Sequence, residues 1–265
     1  MERHNKVIWI IVAVAITVFI TGVKREIKNA DSKGTNIICF GDSITAGHVV
    51  SPSESYQALL SRMTGRPVVN AGIDTDTSRE ALKRLESDVL SRDPLLVIIE
   101  FGGNDFLDRV PIEDTARNIA EIADKIQAQG AMVAIFDISA GIIFNDYHKV
   151  LQKLALRKKA IFIPFVLEGI LTNSSLKSDS AHPNSIGYRA IVHRVYSEII
   201  TSLNQNALSS ASKTVKHKRR LKINKGFPDR HSLRSCAISL RAAFGGVTSE
   251  FCAYLVKSKA ESEFQ

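Results

Sequence analysis

The sequence predicts an α/β fold, a flavodoxin-like three-layer α/β/α sandwich around a five-stranded parallel sheet, and three observations predict it. Between residues 36 and 205, short apolar runs alternate with longer stretches whose apolar residues recur at helical spacing. The short runs are almost continuously apolar, which suits strands covered on both faces. Each run is followed by enough chain for a right-handed helical crossover, and five such units build a doubly wound sheet. In that architecture ligands gather beyond the carboxyl ends of the strands.

Taken in order, the first strand is expected over residues 36–40 (NIICF) and is followed by a helix over 55–63. The second covers 67–70, and the helix after it, 78–90, carries an apolar stripe of Leu82, Leu85, Val89 and Leu90 with Arg79, Lys83 and Arg84 facing water. The third, 95–101 (LLVIIEF), is the strongest apolar run and precedes a helix over 112–129. Residues 132–137 (MVAIFD) and 160–164 (AIFIP) supply the last two strands, with helices over 146–156 and 185–203.

The chain ends differ from this body. Of 265 residues, those after Gln205 hold 12 Lys and Arg against 4 Asp and Glu, so the net charge of +8 lies there and the rest is neutral. The expected domains are therefore 1–35, an anchor and linker, 36–205, the α/β body, and 206–265, a basic flexible tail. The run Lys216 to Arg220 in that tail reads as a solvated segment, and no nucleic-acid partner is expected. Residues 7–23, from Val7 to Val23, hold no charge and follow Arg3 and Lys6, the layout of a signal anchor at the short end of a membrane span. Small residues are not placed for cleavage, so an uncleaved anchor is favoured over a removed signal. Lys24, Arg25, Lys28 and Lys33 outnumber the preceding positives and argue against export, yet the outer side of the membrane remains the expected location. Cys39, Cys236 and Cys252 give no complete disulfide framework.

Three loops carry chemistry. After the first strand comes Gly41-Asp42-Ser43, where a serine at a strand-to-helix turn supplies both a hydroxyl and a backbone N–H in one place. A capped turn explains the same residues equally well. After the third strand comes Gly102-Gly103-Asn104-Asp105, whose glycines admit close backbone approach and whose amide can donate to a developing oxyanion. Asp42 and Asp105 read as turn or cap acceptors with no catalytic step. Before the last helix comes Asp179-Ser180-Ala181-His182-Pro183-Asn184, where a carboxylate three residues before a histidine can hold one ring nitrogen and leave the other as a base. Asn184 and Ser185 each suit a helix cap.

The three motifs together, in this order and in these loops, closely resemble the SGNH, or GDSL, hydrolase family, over about residues 36–203. Asn70-Ala71 and Asp76-Thr77-Ser78 are similar to its second block, and the whole is most similar to its bacterial thioesterase, arylesterase and lysophospholipase branch. The resemblance implies the SGNH fold, Ser43 as nucleophile, His182 as base, Asp179 as its orienter, and an oxyanion hole of Ser43, Thr75 and Asn104. It implies no metal and no organic cofactor. One position departs from the family: where that branch has a glycine before Asp-Thr-Ser, this chain has Thr75, a strained residue if the backbone there needs φ > 0.

The expected reaction is hydrolysis of a carboxylic ester or thioester, namely an acyl ester, lysophospholipid or acyl thioester, through an acyl-enzyme. Gly103, Phe106 and Ile143 are the expected substrate contacts, within an apolar groove drawn from His48 to Val50, Phe106, Leu107 and residues 142–144. Removal of O-acetyl groups from carbohydrate is the alternative reaction. A membrane-tethered binding protein on the same fold, impaired by Thr75, is the alternative of another class.

Overall fold

A computed structural model describes residues 26–140 and 144–226, with residues 213–226 as backbone alone. Five strands, β1 (Asn36–Gly41), β2 (Val68–Gly72), β3 (Pro94–Glu100), β4 (Met132–Phe136) and β5 (Ile161–Ile163), form one sheet in the order β2-β1-β3-β4-β5. Every pairing is parallel. The order reverses direction between β1 and β3, and it is there that a doubly wound sheet opens a crevice. All seven residues of β3 are buried, as a central strand of aliphatic residues requires, whereas β2 at the edge is only partly covered.

Among the described residues, seven helices connect and cover the strands: α1 (Ser43–Ala46), α2 (Tyr56–Thr64), α3 (Ser78–Asp88), α4 (Gly103–Leu107), α5 (Ile112–Ala128), α6 (Asn145–Lys158) and α7 (Ser185–Gly226). In α5, Ile119, Ile122, Ala123 and Ile126 make the buried stripe, while Glu113 and Asp114 in the first turn and Lys125 in the last complement the helix dipole. α7 buries Tyr188, Ile191, Val192, Val195, Ile199 and Leu203 at three- and four-residue steps. The short α1 and α4 lie inside the motif loops and hold too few residues for periodicity to reveal them.

One expectation is corrected. Arg84 does not face water: its side chain is 13% exposed, because α3 lays it over the Phe40 ring, 4.5 Å from Cζ to centroid. Hydrogen bonds also join residues outside 36–205 to the α/β body. Lys28 N–H donates to Lys159 O at 2.9 Å, and Asn29 Nδ2 donates to Gln127 O and Ala131 O. Asn206 Nδ2 donates to Ala30 O and Ser32 O, so residues assigned to the linker and tail pair backbone groups that would otherwise be left unsatisfied. Helix α7 likewise runs past Leu203 to Gly226.

The expected anchor at residues 7–23 lies outside the described residues, as do Cys236 and Cys252. Among the described residues no helix is long and apolar enough to cross a membrane. Burial pushes the Cys39 thiol up to about 12, so at neutral pH this β1 residue is a packing group.

Candidate active site

Everything in the site is arranged around the carboxyl ends of β1 and β3. A Cβ on Gly41 would lie 2.2 Å from Thr45 Oγ1 and 2.5 Å from Glu100 Oε2, so only glycine lets β1 turn directly into α1. Asp42 caps that helix, its Oδ1 accepting from Ile44 N–H at 3.0 Å, and Ser43 becomes the first helical residue. At the far end of the chain, Asn184 caps α7 by accepting from Ile186 and Gly187 N–H. The preceding loop is closed by Ser178 N–H donating to His182 O at 2.9 Å. Tyr188 on α7 donates to Ile44 O at 3.0 Å and so ties the histidine loop to the serine helix.

These constraints bring His182 Nε2 to 3.0 Å from Ser43 Oγ. On the other side of the ring, Nδ1 is 2.8 Å from Asp179 Oδ2 and 3.0 Å from Oδ1. The carboxylate also accepts from the backbone N–H groups of Ala181 and His182, both at 2.8 Å. The Ala181 N–H, then His182, hold its carboxyl down to about 2. An ionised Asp179 fixes the tautomer with the proton on Nδ1 and presents the Nε2 lone pair to the serine. Side chains separated by more than 130 positions in sequence thus form one hydrogen-bonded run.

Asn104 sits in α4, which starts after Gly102. That glycine has φ +127, and a Cβ on it would come within 2.9 Å of Ile138 and Tyr147. The Asn104 amide donates to Asp76 O at 2.9 Å and lies a long 3.4 Å from Asp42 Oδ2, so one N–H is committed and the other is weakly held. Asp76 is held in turn by Arg84, whose Nε is 2.5 Å from Asp76 Oδ2 and whose other nitrogens donate to Ala71 O and Gly41 O. Thr75 is exposed and has φ +68 at the third position of a turn closed by Asp76 N–H to Ile73 O. With φ > 0 at this position alone, the turn is type II, where glycine is favoured. The threonine therefore stores strain of about 1–3 kcal/mol.

Under Ser43 lies a buried acid pair. Glu100, fully buried, accepts from Asp42 N–H at 3.1 Å and from Thr45 Oγ1 at 2.9 Å through Oε2, while its Oε1 has no hydrogen-bond partner among the described residues. Burial, then the charge of Asp42, push the Glu100 carboxyl well above its ordinary range, and burial raises Asp42 to about 6. Burial thus disfavours the charged form of both carboxyls, Glu100 above all. Asp105 accepts from Ser78 N–H and Oγ and from Thr115 Oγ1, a buried cap, as its residue type suggested.

Beyond Asn104 on the same helix, Phe106 is 51% exposed and meets Phe144 edge to face at 4.7 Å. Both line a cavity of about 730 Å³ with Leu107, Val110, Ile112 and Tyr147. Gly103 lies over Asp42, a Cβ there falling 3.4 Å from Oδ2. Ile143 is outside the described residues. His48 departs from the expected apolar groove: its Nδ1 bonds to Asp74 Oδ2 at 2.7 Å and its ring lies 4.5 Å from that of His182. Sequence reasoning missed this pair and Glu100. A charge closing an otherwise apolar strand was the available signal for Glu100, and nothing local signalled His48. A third group, Asp137 with Ser139, His148 and the Phe165 N–H, closes the end of β4.

Residues 39–190, which contain all three motif loops, match the GDSL-like Lipase/Acylhydrolase family. The chain is 32% identical to Esterase TesA of Pseudomonas aeruginosa over 56% of its own length and 79% of that protein's. It is 30% identical to the Thioesterase 1/protease 1/lysophospholipase L1 of Escherichia coli over 56% and 75% of the two chains. A solved structure of TesA superimposes with a TM-score of 0.59 at 29% identity, covering 63% of this chain and 99% of that one. The chain belongs to the GDSL-like lipase/acylhydrolase family.

Proposed function

We propose that this chain is an ester-cleaving serine hydrolase in which Ser43 is the nucleophile, His182 the general base and Asp179 the orienting carboxylate. The observation that carries the reading is the unbroken run of hydrogen bonds from Asp179 Oδ2 through His182 to Ser43 Oγ, 2.8 and 3.0 Å. His182 Nε2 takes the hydroxyl proton as Ser43 Oγ attacks the acyl carbonyl, and the imidazolium is stabilised by Asp179. The tetrahedral oxyanion is received by Ser43 N–H, Thr75 N–H and the weakly held Asn104 amide hydrogen. Collapse returns the proton to the departing alkoxide or thiolate and leaves an acyl-enzyme. Water, deprotonated by the same histidine, then releases the acid.

The substrate proposed is an acyl ester, lysophospholipid or acyl thioester. Its support is the apolar cavity beginning at Phe106, two residues from Asn104 on the same helix, with a volume in the range of small-molecule sites. The names of the relatives, esterase and thioesterase/lysophospholipase, are consistent with it. Membrane attachment through residues 7–23 is part of the proposal and rests on their composition alone.

The test uses the full chain in detergent and its Ser43→Ala variant against p-nitrophenyl esters from acetate to palmitate and against an acyl thioester. Turnover abolished by the substitution, with rates rising beyond acetate, is the expected result. Equal turnover by both folded proteins removes Ser43 as nucleophile, and a preference confined to acetate favours O-acetyl removal.

A further inference from the structure

His48 is outside the acid–base relay, yet it touches both sides of the site. Its backbone N–H donates to Ser43 O at 3.1 Å, so the ring is carried by the turn that ends the nucleophile's own helix. Nδ1 bonds to Asp74 Oδ2 at 2.7 Å, and the ring packs against His182 with an interplanar angle of 42°. Asp74 is the second residue of the Ile73 to Asp76 turn, immediately before Thr75 with its φ of +68.

The two ends of that turn are fixed independently. Ile73 N–H donates to Gly41 O at 3.1 Å, and Asp76 is held by Arg84 and by the Asn104 amide. The apex is different: among the described residues, its side-chain contact is the bond from Asp74 to His48. A β-branched residue keeps a left-handed conformation only where its surroundings over-determine it. The bond to His48 is one residue from that strain and joins the loop after β2 to the loop after β1.

From this geometry we infer that His48 is a positioning residue: through Asp74 it clamps the strained turn that presents the Thr75 N–H to the oxyanion. The inference rests on the reading of Thr75 N–H as an oxyanion donor. The clamp substitutes for the conformational freedom that a glycine at position 75 would give. It also references the turn and the catalytic base to one side chain, since the same ring packs on His182.

The experiment is a double-mutant cycle in the full chain, with kcat and KM measured on one p-nitrophenyl ester and thermal melting followed in parallel. His48→Ala is expected to lower kcat by about 10- to 100-fold, less than outright loss of an oxyanion donor, with little change in KM. His48→Asn, whose amide nitrogen replaces Nδ1 as donor, recovers most of that loss. In a Thr75→Gly background, where the turn needs no clamp, His48→Ala costs less than about 3-fold, a strong non-additivity. Equal losses in the two backgrounds, or no loss from His48→Ala, overturn the clamp. So does a kcat loss that His48→Asn fails to recover while its melting temperature matches the parent's. Failure of the functional reading is separately visible, as a parent enzyme whose turnover does not depend on Ser43.

Discussion

Replacing Arg84 with alanine tests whether the floor of the site is built as described. The guanidinium pairs with Asp76 at 2.5 Å and Asp88 at 3.1 Å, donates to Ala71 O at 2.8 Å and to Gly41 O at 3.1 Å, and covers the Phe40 ring. Arg84 and Asp76 are each 13% exposed, so the pair is largely withdrawn from solvent. An exposed ion pair is worth about 0–1 kcal/mol. Removing one partner of a buried pair costs about 3–5 kcal/mol, because the other charge and its acceptors stay behind unsatisfied. With slight exposure the lower end applies, so Arg84→Ala should lose about 3 kcal/mol in equilibrium urea unfolding. For a domain of this size that corresponds to a fall in Tm of about 6–12 °C. Arg84→Lys should recover only part of the loss, since an ammonium cannot span Asp76, Ala71 O and Gly41 O in one plane. The activity of Arg84→Ala should also fall, because Asp76 supplies the acceptor that orients Asn104. A loss below about 1 kcal/mol would place Arg84 among solvated surface charges and refute the reasoning.

Two further outcomes are expected. Asn104→Ala should lower kcat by about 100- to 1000-fold with a much smaller effect on KM, measured by ester hydrolysis; a raised KM with kcat unchanged would mean the amide serves ground-state binding instead. Glu100→Gln should gain stability over the parent as pH rises. The folded-state carboxyl of Glu100 is raised, so its stability contribution is full below its unfolded value of about 4.3 and is lost as pH climbs above that. Glutamine keeps the acceptor for Asp42 N–H and Thr45 Oγ1 without titrating. Urea midpoints at pH 4, 6 and 8 should show a gap widening in the variant's favour, and a constant gap would mean Glu100 ionises freely in the fold.

The strands were legible because burial on both faces leaves a signature in composition: β3 is apolar from Pro94 to Ile99 and is buried throughout. The meeting of Asp179, His182 and Ser43 was legible because Asp179 and His182 sit on one turn and the serine loop follows β1 directly, so their juxtaposition is a consequence of topology. Arg84 was misread because helical periodicity assigns a face by hydrophobicity, and an arginine that satisfies its charge against strand-end carbonyls carries no apolar mark. The His48 to Asp74 bond joins positions 26 residues apart across two loops, and no periodicity constrains such a pair. The contacts made from outside residues 36–205 were equally hidden, since Asn29 and Asn206 act through single amide groups on backbone carbonyls.

Glu100 and Thr75 run against local preference, one beneath the turn from β1 into α1 and the other in the loop after β2. A buried carboxylic acid is costly, and a β-branched residue at φ > 0 is costly, so a sequence selected for stability alone would carry neither. Each has a compensating contact that also serves the site. Glu100 accepts the Asp42 N–H and Thr45 hydroxyl, fixing the first turn of the helix that presents Ser43. Thr75 is held through Asp74 by a histidine packed on the catalytic base. If the strain merely reflected drift at a spoiled site, relaxing it at position 75 would leave the His48 dependence of kcat untouched. If the strain is balanced by the clamp, the two substitutions must couple, and the size of that coupling measures how much of the oxyanion geometry depends on His48.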